Sequence, residues 1–426
     1  MHDTTDSPTA LVVAAFDSQL KWAAALWTQL RDRGFQVRVV APRSMATLSP
    51  AQISATGVDT VDVVPDDDLV ALAQAHDVVV FALSGPSVHR FTLDLAEAAG
   101  DGPRPVVVAG WVGVIIEKIT AGYLDRCAAD VVAVNARHEL EHFLHVASRL
   151  DIAPGNLLLT GLPILSTSPA PQQTGPVRTV LFADQPTVPA SPVDRLHLYR
   201  RLAEHARRHP DRQVLLKPRH RRGEGTFHRM HHHPEDLLAH DDLPPNFAVT
   251  YRPVPELLEE ADLLVTVSST ACLEAVDRGR RVALVLDLGV HERLGNHVLL
   301  DSGLLRTFDQ VNADDLGTPD PDWVDSWFGG RDVAPAVAVV DRVEELLATG
   351  ERPSRDALRS AYLRSALALH REQRDGGRPA PPTAWERRTR THGLAKGAAV
   401  HVGFEWVPPA VQKPVRRWWR EHRPLG

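Results

Sequence analysis

Cysteine is almost missing from this 426-residue chain. Cys127 and Cys272 are the two present, each inside an apolar pattern. Two such residues read as small buried hydrophobes and provide neither a disulfide framework nor a zinc site. Their scarcity fits a reducing, cytoplasmic compartment. No apolar run approaches the roughly 18 residues that read as a membrane span. The opening MHDTTDSPTA has neither the basic region nor the apolar region of a secretory leader. Lysine is scarce beside arginine, and the net charge of −7 gives no overall basic bias toward nucleic acid. There is no Walker phosphate loop, no complete Gly-x-Gly-x-x-Gly fingerprint and no Gly-x-Ser-x-Gly elbow. The Asp-x-Asp within Pro65–Leu69 precedes an alanine-rich helical pattern and reads as acidic N-terminal capping.

What is present is a repeated alternation of short apolar runs and helical spacing. LVVAAFDS, QVRVVAP, VDTVDVVP, HDVVVFALSG, PVVVAGWVGV, DVVAVNA and NLLLTGLP read as strands, the third at an edge because aspartates interrupt it. STSPAPQQTGPV has no periodicity and reads as a linker. A second array follows with TVLFADQP, QVLLKPRH, FAVTYRPV, DLLVTVSS and RVALVLDLG, and a helix near 334–348 is expected to close it. The expected fold is α/β: two Rossmann-like domains whose parallel sheets face a cleft, plus C-terminal helices. The expected divisions are an acceptor domain at 1–165, a linker at 166–177, a nucleotide-sugar-binding domain at 178–350 and a helical extension at 351–426.

In an open α/β sheet, ligands bind outside the carboxyl ends of the strands. The residues leaving each strand are therefore the candidates. Ser268, Ser269 and Thr270 stand where a strand turns into a helix, with Glu274 one turn later. Free N–H groups at a helix start favour a phosphate there, and Glu274 is placed to accept from ribose hydroxyls. Plain helix capping by Ser269 or Thr270 is the competing explanation. Lys217, Arg219 and His220 leave another strand as KPRH and suit a diphosphate or carboxylate, unless they form an exposed basic loop.

TVLFADQP, QVLLKPRH and DLLVTVSSTACLEAVDRGRRV together resemble the nucleotide-binding half of GT-B glycosyltransferases. They resemble in particular bacterial sialyl- and polysialyltransferases and CDP-glycerol glycerophosphotransferases. They are also similar to the non-hydrolysing UDP-sugar 2-epimerases of the same fold. The resemblance covers about Val177 to Gly289. It implies that Lys217, His220, Ser268, Ser269 and Thr270 contact donor phosphate and that Glu274 holds the ribose. Pro218-Arg219-His220 departs from the family's usual histidine-proline pair, so the donor stays open among CMP-, CDP- and UDP-linked sugars.

An inverting transfer needs a base for the acceptor hydroxyl. The candidates from the first half are Asp17, then Glu117, then His89. Each has a plainer role, as helix cap, surface carboxylate and ordinary helix residue respectively. His228, His231, His232 and His233 cluster without cysteine or organised carboxylates, so no metal site and no cofactor beyond the donor substrate is expected.

From Thr383 to Gly426 there are nine Lys/Arg against three Glu. As a helix, the end of the chain would place Val411, Val415, Trp418, Trp419 and His422 opposite Lys413, Arg416, Arg417 and Arg420. That helix either docks on the first domain, the preferred reading, or makes peripheral contact with the inner face of a membrane.

The expected function is metal-independent glycosyl transfer from a nucleotide sugar. The acceptor is a glycan, polyprenyl-linked or part of the cell envelope. The alternatives are a 2-epimerase-like enzyme and a non-catalytic nucleotide-sugar or glycan-binding protein.

Overall fold

A computed structural model describes residues 7–375 except 47, 49, 55, 59, 101, 223–229 and 330–331. His228 and the Trp/Arg helix expected near the C-terminus lie outside the described residues.

The first seven strands are β1 (Thr9–Ala14), β2 (Gln36–Pro42), β3 (Asp62–Val64), β4 (Val78–Ala82), β5 (Val106–Gly110), β6 (Val131–Val134) and β7 (Leu157–Leu159). They form one sheet in the order β3-β2-β1-β4-β5-β6-β7, and every pair is parallel. β4 and β5 are buried along their whole length, as continuous valine-rich runs between two helical layers must be. β3 lies at the edge, as its aspartates require.

The second sheet contains β8 (Thr179–Ala183), β9 (Gln213–Lys217), β10 (Phe247–Val249), β11 (Leu263–Thr266), β12 (Arg281–Val285) and β13 (Leu305–Arg306). Its order is β10-β9-β8-β11-β12-β13, again all parallel. In both sheets the chain reverses its direction of addition beside the first strand. The crevices between β1 and β4, and between β8 and β11, are therefore the two switch points where an α/β sheet opens to a ligand.

Among the described residues, those up to Ser365 belong to one compact unit and those from Ala366 to another. The C-terminal helices are Pro353–Ala357 and Ala361–Asp375. Among the described residues, no helix is long and apolar enough to cross a membrane.

One expectation is corrected. Helix Pro335–Thr349 does not close the second sheet. Its Val339, Val340, Val343 and Leu346 pack with Leu20, Ala23 and Trp27 of helix Asp17–Asp32 in the core of the first sheet. Arg33 pairs with both Asp341, at 2.6 Å, and Glu344. Amphipathic spacing reveals that such a helix has a buried face, but not which sheet receives it.

The second sheet is flanked by helix Pro192–Arg208, started by Ser191, whose side chain accepts from Asp194 N. This helix carries the buried His205 against the neighbouring helix Phe308–Asn312, with Nδ1 2.8 Å from Asn312 Oδ1. Burial drives His205 down to about 4. The Asn312 bond and Asp314 oppose that shift, while His209 and Arg212 reinforce it. An unfolded histidine titrates near 6.5. Between about pH 6.5 and 4 the unfolded chain therefore binds more protons, and stability falls as the pH falls. We predict that urea midpoints decline across this window. We expect His205→Gln to flatten the decline, removing up to roughly 3 kcal/mol of pH dependence at about 1.4 kcal/mol per unit. An unchanged slope would show that other groups govern it.

Candidate functional site

The first sheet sends Asp17 from the end of β1, where it opens helix Asp17–Asp32. Asp17 is mostly buried, and Lys21 one turn on reaches it at 3.1 Å. From the second sheet Arg219, just beyond β9, also reaches Asp17, at 3.5 Å. The leading base candidate and a leading phosphate candidate, 202 residues apart, thus meet across the cleft.

Glu274 joins the same group. It is half-buried, and burial raises its carboxyl, opposed by Arg278, Lys21 and Arg219. Asp17, Lys21, Arg219 and Glu274 form a set of alternating charges drawn from both halves.

The three hydroxyl residues after β11 divide into two kinds. Ser268 is buried. Its N–H donates to Gln185 Oε1 at 2.9 Å, and its hydroxyl donates to Leu294 O at 2.5 Å. Ser269 and Thr270 are half-buried. Ser269 Oγ accepts from Ala271 N at 3.3 Å, whereas Thr270, the residue before helix Ala271–Asp277, makes no side-chain cap. Full helix capping therefore does not account for all three hydroxyls. Ser268 shapes the crevice, while Ser269 and Thr270 stand at its edge.

KPRH divides similarly. Lys217 Nζ donates to its neighbour's carbonyl, Pro218 O, at 2.7 Å. His220 is buried, with Nδ1 on Arg221 O at 2.9 Å and Nε2 accepting from Met230 N at 3.1 Å. Both His220 ring nitrogens are thus engaged with backbone groups of Arg221 and Met230. His233 and His220 also meet, through His233 Nε2 and His220 O at 3.3 Å. Among the described residues no three His, Cys, Asp or Glu side chains converge as a metal would require.

Glu117 is exposed on the segment after β5, next to Lys118, whose φ of 56° is left-handed. His89 lies in helix Gly85–Ala99. Its charge helps hold down the Asp125 carboxyl, which burial raises. A Cβ on Gly85 would lie 2.3 Å from Asp125 Oδ2, so that carboxylate sits against the start of the His89 helix. Neither Glu117 nor His89 is brought onto Arg219 as Asp17 is. Below them Arg126, buried, donates to Gly110 O at 2.8 Å and Gly122 O at 2.9 Å and stacks on Trp111 at 4.5 Å.

Sequence reasoning missed the bridge made by residues 112–116. Asn135 Nδ2 holds Gly113 O at 3.1 Å, and Ile115 packs into the first core. Val114 packs against the second core. Ile116 meets Gly295, where an added Cβ would lie 2.8 Å from Ile116 Cγ2 and 3.2 Å from Ser268 Oγ. An added Cβ on Gly113 would lie 3.0 Å from Thr270 Oγ1. The alternation Val-Ile-Ile sends neighbouring side chains to opposite sides, as an extended segment does. The glycine in WVGVIIEK was the available signal. Glu139 anchors the same segment. Its carboxyl is pushed up to about 8 by burial, against backbone N–H donors from Asn135, Ala136 and Ile115.

The family model described as "Putative glycosyltransferase (DUF6716)" matches residues 10–346. No curated protein sequence matches the chain. Among solved structures, spinosyn forosaminyltransferase SpnP is similar with a TM-score of 0.50 at 17% identity, covering 81% of this chain and all of its own. A "putative UDP-N-acetylglucosamine 2-epimerase from Listeria monocytogenes" reaches 0.50 at 11% identity, covering 82% of this chain and 99% of its own. At such identities the likeness shows the fold alone, which is GT-B-like.

The bridge makes a stability prediction. Gly295 has a φ of +69° and no room beside Ile116. Gly295→Ala should cost about 1–3 kcal/mol in urea unfolding, the range for overpacking and local strain. Adding Ile116→Ala should return part of that loss. No recovery in the double variant would mean that Ile116 does not pack there in solution.

Proposed function

Because the chain belongs to the family described as "Putative glycosyltransferase (DUF6716)", we propose that it moves a sugar from a nucleotide-activated donor to an acceptor hydroxyl. The observation that carries the site assignment is the 3.5 Å contact between Asp17 and Arg219. It joins the carboxyl edge of one sheet to that of the other, and a reaction between two bound substrates has to take place at such a junction.

In this reading the nucleotide lies in the β8/β11 crevice. Ser269 and Thr270 face its phosphates, Lys217 and Arg219 supply positive charge, and Glu274 holds the ribose. His220, next to Arg219, contributes by holding the backbone of Arg221 and Met230 together. The acceptor, a glycan free or polyprenyl-linked, approaches from the first sheet. Asp17 takes the proton from the acceptor hydroxyl as its oxygen bonds to the anomeric carbon, and the nucleotide phosphate leaves with the bonding electrons. Fixed cations near that phosphate stabilise the charge that develops on it, so no metal step is assigned. The resemblance to enzymes using cytidine-activated donors makes cytidine nucleotides the first to test.

Two measurements check this reading. Thermal unfolding with CMP, CDP, UDP and GDP at millimolar concentration should show one nucleotide raising the midpoint, since a ligand at 100 times its Kd adds about 2.7 kcal/mol. No shift with any of them removes the donor site.

Asp17→Asn should lower transfer by roughly 10²–10⁴-fold, the usual contribution of a general base, while nucleotide binding persists. Retained transfer would shift the role to Glu117 or His89. Conversion of the nucleotide sugar at C2 without release of nucleotide would favour the epimerase alternative.

A further inference from the structure

Gln185 leaves β8 at the point where the chain of the second sheet changes direction, and Ser268 leaves β11 beside it. Their side chains close the floor of that crevice with a directional chain of hydrogen bonds. Ser268 N donates to Gln185 Oε1 at 2.9 Å, which fixes the amide's orientation. Gln185 Nε2 then faces Ser268 Oγ at 3.3 Å. The single proton of that hydroxyl goes to Leu294 O at 2.5 Å. A Cβ added to the next residue, Gly295, would lie 3.2 Å from the same Oγ. The exits of β8 and β11 and the turn at Leu294 are thus held to one another through the Gln185 side chain.

Gln185 is itself held from below. The Asp184 and Arg195 side chains are each 1% exposed and pair at 2.8 Å. Tyr199 OH donates to Asp184 Oδ2 at 2.6 Å. Arg195 Nη2 donates to three carbonyls of one short loop: Gln185 O at 2.7 Å, Pro189 O at 2.9 Å and Pro186 O at 3.0 Å. Two of those three residues are prolines, which have no N–H to build turn bonds of their own. The guanidinium supplies what the loop lacks. A buried ion pair is close to break-even for stability against an apolar replacement of the same volume. Its specific effect here is on the loop it fixes.

We infer that Gln185 is a positioning residue for the nucleotide, and that the buried Asp184–Arg195 pair acts through it to set where Ser269 and Thr270 stand. This rests on the donor-site reading above. Gln185 does not need to touch the donor. It locks Ser268, and Ser269 and Thr270 follow directly in the chain. If its amide is removed, both the N–H and the hydroxyl of Ser268 lose a partner, and the crevice edge relaxes.

The test is calorimetric titration of the full chain with CMP, CDP and UDP, together with thermal unfolding of each variant. Gln185→Met keeps the length of the side chain and removes the amide. It should weaken binding of the preferred nucleotide about tenfold or more, while its melting midpoint stays near that of the wild type. Arg195→Lys should weaken the same nucleotide by a similar factor. The double variant should then be no worse than the weaker single variant, because residues acting through one chain are not additive. Equal affinity in wild type and Gln185→Met overturns the inference and leaves the donor site standing. Independent, multiplying losses in the double variant overturn the link from Arg195. If Arg195→Lys does not fold, Gln185→Met decides the matter alone. If the wild type binds none of these three and GDP does not raise its melting midpoint either, the donor-site reading fails and this inference falls with it.

Discussion

Parallel pairing of every strand in both sheets is the constraint from which the rest of the structure follows. Parallel neighbours need a crossover, and right-handed crossovers return the chain to the same edge of the sheet each time. All strand exits therefore line one edge, and backbone groups that no ladder satisfies gather there. Each sheet also changes its direction of growth beside its first strand, which leaves a gap between diverging loops. Asp17 belongs to such a gap in one sheet and Gln185 and Ser268 to the other.

Each edge carries charges of both signs. Asp17 alternates with Lys21, Arg219 and Glu274, so charges of opposite sign face one another across the cleft. With Arg219 half-exposed, the Asp17–Arg219 pair stays partly solvated and contributes little to stability. The bridge at 112–116 works differently, by close packing against Gly295 and Thr270. Contact between the halves thus combines ion pairs, Asp17–Arg219 at 3.5 Å and Arg137–Asp325 at 3.0 Å, with an apolar wedge.

Hydrogen bonding separates residues that look alike in the chain. Ser268, Ser269 and Thr270 are three small hydroxyl residues in a row, yet only the first is buried and bonded to another strand's exit. His220 sits between arginines in a basic stretch, yet its ring bonds to the backbone of Arg221 and Met230. Asp66 opens the short helical turn Asp66–Asp68 before helix Leu69–Gln74 and also accepts from Ser44 Oγ at 2.6 Å and from Arg90 at 3.2 Å, tying the β2, β3 and His89-helix regions together.

The sequence by itself determined the class of fold, the βα rhythm, the edge position of β3 and the place of candidate residues at strand exits. These depend on local hydrophobic periodicity and on the short-range chemistry of turns and caps, both of which are written in consecutive residues. The tertiary structure alone decided that helix Pro335–Thr349 returns to the first core, that Asp17 meets Arg219, and that Gly113 and Ile116 face Thr270 and Gly295. Each of these joins residues far apart in the chain. A periodic pattern shows that a face is buried, and a charge shows that a partner is favourable, but neither specifies which distant surface supplies it. That choice is made by packing, where side chains of the right size and bonding capacity meet only after both sheets have formed.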